Sequence, residues 1–202
     1  MSQTLPAEET ARRWGARVRA EQHAASAPLI AVGCAVLVEA TLKVFLLPAA
    51  VFWEPPFWAM SRPLSGILPV VTFAVLWGVM RMARARSGLG MGRQGYGGVV
   101  LVILAVVVMV PIASYFLGPL LLMGLGLVAL GWRGRERLLW VTGLALAALS
   151  PWANLGTFEN RARFLGPAPT PLVLTVTGLV VIGLGVHRLR AERRTLAENP
   201  TP

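Results

Sequence analysis

Long apolar runs separated by short arginine-rich breaks make up most of the 202-residue chain. An α-helix rises about 1.5 Å per residue and a hydrocarbon core is about 30 Å thick, so one crossing takes roughly 20 mainly apolar residues. Pro28–Pro48 meets that requirement at about 31 Å. Leu64–Met82 is a second such run, ending among Arg81, Arg84 and Arg86. Gly98–Trp132 then carries no charge over 35 residues. As one helix it would be about 52 Å long, so it reads as a hairpin turning at Ser114–Pro119, with Gly118-Pro119 as the break. Leu138–Trp152 and Pro171–His187 are shorter runs, about 22–26 Å by helical rise, and the first of these could instead be re-entrant. The pattern predicts an all-α, polytopic membrane helix bundle with six transmembrane helices near 28–48, 64–82, 98–115, 118–132, 138–153 and 171–188. Between the last two, Ala153–Thr170 is polar, contains proline and shows no helical periodicity.

Charge supplies an orientation. The formal net charge is +10, from 19 Lys+Arg against 9 Asp+Glu, and only 14% of residues are charged, well below the roughly 25% usual for soluble domains. Such a balance could mean nucleic acid, but 15 of the 19 basic residues fall into four short segments bounded by apolar runs. These are Arg12, Arg13, Arg17 and Arg19; Arg81, Arg84, Arg86 and Arg93; Arg133, Arg135 and Arg137; and Arg188, Arg190, Arg193 and Arg194. With both termini cytoplasmic, all four lie on one side, as the positive-inside rule requires. The charge therefore reports insertion into a plasma membrane and not a nucleic-acid groove. Arg12, Arg13, Arg84, Arg86, Arg93, Arg188 and Arg190 are the expected contacts with anionic inner-leaflet headgroups. A preference for Arg, Ala, Gly and Pro over Lys and Asn points to a bacterial source.

The ends fit this organisation. Residues 1–27 form a basic cytoplasmic segment, in which 7–24 read as an amphipathic helix with Glu8–Arg12 and Glu9–Arg13 at i,i+4, lying on the membrane surface or serving as a solvated lead-in to the first span. The first apolar run begins too late and is too long for a cleaved secretory signal. Residues 28–189 form the membrane domain, and 190–202 a basic cytoplasmic tail.

The inventory of reactive side chains excludes much chemistry. Cys34 is the sole cysteine, His23 and His187 are the two histidines, and there is no aspartate. No disulfide within the chain or cysteine-based metal cage can form, so no metal or other cofactor is expected. Ser61, Ser65 and Ser114 have no histidine on their side of the membrane. Gly90-Met-Gly92-Arg-Gln-Gly95 spells G-x-G-x-x-G, but a dinucleotide fingerprint needs a preceding strand, and here a basic loop precedes it.

Two groups of charges break the pattern. Glu39 and Lys43 stand inside the first span at i,i+4, in the favoured order, with Glu39 about 16 Å along from Pro28. A charge at a helix centre costs roughly 2.5–3.5 kcal/mol on insertion scales. The two must therefore pair, face the bundle interior or line a wet cavity, as an ion or ligand pathway or as a self-neutralising structural pair. On the outer side, Glu54, Glu159, Arg161 and Arg163 would form a polar mouth for an anion or headgroup. The plainer alternative there is an aromatic belt with ordinary loop charges. The stretch Trp53-Glu54-Pro55-Pro56-Phe57-Trp58 resembles, over that hexapeptide alone, the Trp- and Pro-rich loop of translocator-protein-like membrane proteins. Small residues at close spacing, Ala31/Cys34/Ala35, Ala74/Gly78 and Gly143/Ala147, would permit close helix contacts.

With no catalytic constellation, the leading expectation is a non-catalytic subunit or partner-binding component of a membrane assembly. The alternatives are a small permease or substrate-binding component with its site near Glu39 and Lys43, and an outer-face lipid-modifying enzyme.

Overall fold

The computed structural model describes residues 25–52, 56–87, 95–109, 118–155, 157–166 and 168–198. Within them the chain is helical, with no strand. The elements are α1 (Ser26–Phe52), α2 (Pro56–Ser87), α3 (Tyr96–Met109), α4 (Pro119–Gly134), α5 (Arg137–Asn154), a short α6 (Thr157–Arg161), a 3-10 turn (Arg163–Leu165) and α7 (Pro169–Glu198). Six helices of 14 to 32 residues thus stand where six apolar runs are read from the sequence. Two of them, over Ser26–Phe45 in α1 and Pro169–Thr195 in α7, are long and apolar enough to cross a membrane. The buried share of those windows is 44% and 39%, and apolar Val38, Val44 and Phe45 in α1 and Leu172, Val176, Leu179 and Val180 in α7 are exposed, as membrane association would have it. The described apolar stretches Gly66–Met82, α3 and α4 are shorter, at 17 residues or fewer.

Glycine and proline set the boundaries. Gly118 takes φ 77°, a left-handed conformation open to glycine at little cost, and Pro119 follows at the first turn of α4. That is where the hairpin break is expected, and a pre-set φ with no N–H to lose suits proline to a helix start. At the other end of α4, Arg135 occupies the left-handed C-cap (φ 55°), and the cap's backbone N–H groups bond the carbonyls of Gly131 and Trp132. The polar stretch 153–170 is not wholly irregular: it holds α6 and the 3-10 turn, both too short for periodicity to reveal.

Packing is organised as two tight helix pairs, α1 with α7 and α4 with α5. Both rest on glycine. A Cβ at Gly33 would lie 2.6 Å from Ile182 Cγ1 and 3.0 Å from the Gly178 carbonyl oxygen. A Cβ at Gly143 would lie 2.5 Å from the Gly124 carbonyl oxygen and 2.8 Å from the Val128 nitrogen. Backbone meets backbone at both crossings, as in small-residue contacts between membrane helices. Gly143 and Ala147 both meet Gly124, so that expected small-residue pair does form a contact. Gly78 has nothing within 4 Å of its Cβ position, and Cys34 is exposed. Buried Leu29, Val32, Val36, Phe73, Met123, Leu127, Leu146 and Leu174 fill the core between the pairs.

Candidate functional site

The first helix carries its inward face at heptad spacing, Leu29, Val32, Val36, Glu39 and Lys43. Residues three and four apart share a helix face, so the carboxyl of Glu39 continues a stripe whose aliphatic members are fully buried. It is itself 1% exposed. One turn further on, Lys43 is half-buried, and its Nζ donates to the carbonyl oxygen of Ala153 at 3.1 Å. Ala153 lies in the last turn of α5, where carbonyls have no partner within the helix and the helix dipole favours a cation. The pair expected to face the interior does so at Glu39, while Lys43 reaches across to the end of another helix.

The opposite end of α5 shows the converse arrangement. Glu136 is the N-cap residue of α5, where a negative charge is favoured. Its Oε2 accepts from Arg188 Nη2 of α7 at 3.0 Å. One helix is therefore held at both ends by the α1–α7 pair, at its negative end by Lys43 and at its negatively charged N-cap by Arg188. The Arg188–Glu136 side chains are 40% and 30% exposed, so this ion pair contributes only about 0–1 kcal/mol.

Two further contacts supply helix caps from a distance. Glu192 in α7 accepts from the Ala25 nitrogen at 2.9 Å, the Ser26 nitrogen at 3.3 Å and Ser26 Oγ at 2.6 Å. These groups open α1, whose first turn holds no acidic residue of its own. Ser150 Oγ in α5 accepts from the Leu121 nitrogen in the first turn of α4 at 2.8 Å, where Gly118 supplies no side-chain cap. Among the described residues one buried side-chain group is left over: the Thr170 hydroxyl in the first turn of α7, 1% exposed, has no hydrogen-bond partner.

At the end where Lys43 meets Ala153, the surface has an open depression of about 400 Å³ lined by Pro151, Trp152, Leu155, Thr157, Asn160 and Arg161. Of the residues expected at an outer mouth, Arg161 borders this depression and is exposed. Glu54 lies outside the described residues, as do the side chains of Glu159 and Arg163. Of the expected headgroup contacts, Arg190 is exposed and Arg188 is engaged with Glu136. Arg12, Arg13 and Arg93, and the side chains of Arg84 and Arg86, lie outside the description. Among the described residues no three His, Cys, Asp or Glu side chains gather as a metal site.

Sequence reasoning did not single out Glu136, Ser150 as a cap, or Glu192. Their partners lie 52, 29 and up to 167 residues away, and no local pattern marks them. Compared with known proteins, the chain matches no family model, no curated protein and no solved structure.

Proposed function

We propose that the chain is a six-span protein of a bacterial plasma membrane, with both termini cytoplasmic, that acts as a non-catalytic, partner-binding component of a membrane assembly. The observation that carries this reading is the use made of the polar side chains between helices. Lys43 binds the end of α5, Arg188 its beginning, Ser150 the beginning of α4 and Glu192 the beginning of α1. Each ties one helix to another. The outward faces are apolar, with Ile67, Val71, Val75 and Val79 along α2 and Leu101, Val102, Leu104 and Val108 along α3 exposed. Such faces suit acyl chains or the helices of a second membrane protein. The arginine clusters at Arg133–Arg137 and Arg188–Arg194 suit anionic inner-leaflet lipid, and the reading assigns no role to nucleic acid.

The test uses the tagged full chain at its native expression level, extracted in mild detergent and crosslinked. A discrete complex of fixed stoichiometry, retained by Glu39→Gln and by Lys43→Met, supports the proposal. An unassociated chain whose solute uptake or efflux is abolished by Glu39→Gln would overturn it in favour of a small permease. That second reading is favoured by one observation, a carboxyl 1% exposed within the first apolar helix, a placement that commonly marks an ion or proton path.

A further inference from the structure

We propose that the depression at the end of α5 binds a phosphate ester anion, with the headgroup of an anionic phospholipid as its source. The depression is built where α5 stops. Pro151 lies in the last turn of that helix, and the chain then turns into α6, which carries Thr157, Asn160 and Arg161 along one side of the hollow. Three kinds of hydrogen-bond donor line it: the Arg161 guanidinium, the Asn160 amide and the Thr157 hydroxyl. Among the described lining residues Arg161 carries the charge and none is a carboxylate, so the guanidinium is the ionic partner there for an anion. A guanidinium offers paired N–H groups that match two phosphate oxygens at once.

The rest of the lining is apolar and open. Trp152 is 54% exposed and Leu155 60%, and Phe164 nearby in the chain is 85% exposed. Tryptophan beside a phosphate-binding cation at a helix end is the arrangement of a membrane–water interface, where the indole lies at headgroup depth. A soluble anion needs no such apolar rim; an amphiphile uses it for its glycerol and first methylenes. The volume of about 400 Å³ lies within the roughly 300–1,000 Å³ range of small-molecule sites.

Position gives a second argument. The depression lies at the end where Lys43 meets α5, opposite the Arg188–Glu136 end. In the six-span reading that is the outer side, whose loops hold only Arg62, Arg161 and Arg163 of the 19 basic residues. An arginine placed against the orientation rule calls for a local reason, and an anion held beside it provides one. This positional argument and the source of the anion rest on the membrane reading, and the donors lining the hollow do not.

The experiment compares the full chain with Arg161→Gln and with Arg81→Gln, which removes an exposed charge at the end that the six-span reading puts in the cytoplasm. In one arm, native mass spectrometry counts lipid retained by chains released from phosphatidylcholine nanodiscs containing graded phosphatidylglycerol. In the other, calorimetry titrates inorganic phosphate into detergent-solubilised protein, which needs no bilayer. The expected result is one tightly retained phosphatidylglycerol per chain, with apparent affinity at least tenfold lower in Arg161→Gln and unchanged in Arg81→Gln. Binding of inorganic phosphate with the same Arg161 dependence, and no lipid retention, would keep the anion site and assign it a soluble phosphate ester. Equal retention by Arg161→Gln and wild type, with no phosphate binding, would overturn the proposal, as would equal losses in both variants. Failure of the chain to enter nanodiscs, with phosphate binding intact, would count against the membrane reading alone.

Discussion

Gly143→Ala should destabilise the protein, while the same change at Gly78 should not. Both glycines lie within apolar helices, α5 and α2, so intrinsic propensity acts on them alike. An Ala in a helix interior is favoured over Gly by roughly 0.5–1 kcal/mol. At Gly78 nothing lies within 4 Å of the new methyl, so Gly78→Ala keeps that gain. At Gly143 the methyl would stand 2.5 Å from the Gly124 carbonyl oxygen, where ordinary contact begins at 3.4 Å. The two nearest obstructing atoms are backbone, so no movement of a side chain relieves them. α4 and α5 must separate by about 0.9 Å, and a gap of that order forfeits about a quarter to a half of the dispersion energy at each contact along the crossing. Overpacking of this kind typically costs about 1–3 kcal/mol. Net of propensity, Gly143→Ala should lose roughly 0.5–2 kcal/mol and Gly78→Ala gain about 0.5–1 kcal/mol. Reversible unfolding in mixed micelles with increasing SDS would measure both, with Gly183→Ala, also in open space, as a second control. A Gly143→Ala midpoint equal to or above that of Gly78→Ala would refute the close crossing.

Other consequences follow from the polar ties. Thr170→Val removes a buried hydroxyl that has no partner while conserving shape, so it should stabilise the protein by about 1 kcal/mol; unfolding in detergent would show a higher midpoint. Ser26→Ala and Glu192→Gln should each lower the midpoint, and a double-mutant cycle should give a coupling of about 1 kcal/mol, the scale of a helix cap. Independent, additive effects would dismiss the remote cap. Arg188→Gln should change stability by less than about 1 kcal/mol at physiological salt, since both side chains are substantially exposed, and titrating NaCl should shrink even that difference. Lys43→Met should raise hydrogen exchange at the amides closing α5, including Leu155, whose nitrogen donates to the Pro151 carbonyl at 2.9 Å, without affecting those closing α4.

Much of the architecture was legible because the relevant signals are local. The lengths of the apolar runs placed six helices, and Gly118-Pro119 marked the turn between α3 and α4, because a left-handed φ and a missing N–H are properties of those residues themselves. Glu39 drew notice because a charge in an apolar run is costly wherever the chain goes, and it is indeed sealed in. The polar stretch 153–170 was harder. Five residues of α6 span barely more than one turn, too few for a period to repeat, and so the hollow bordered by Thr157, Asn160 and Arg161 was visible only as loosely grouped loop residues.

Composition and the lengths of the apolar runs alone therefore established the helical character of the described residues, the sites of the six longer helices and the need to shelter the charge at Glu39. Which helices embrace was left to tertiary structure. Ala- and Gly-rich runs offer many equivalent small-residue faces, and only packing selects Gly33 against Gly178 and Gly143 against Gly124. Tertiary structure likewise decided that the caps of α1 and α4 come from Glu192 and Ser150, and that Lys43 reaches Ala153. A helix terminus requires a hydrogen-bonding partner, and that requirement can be read from one segment. The identity of the partner cannot, because any donor or acceptor that folding brings within about 3 Å will serve.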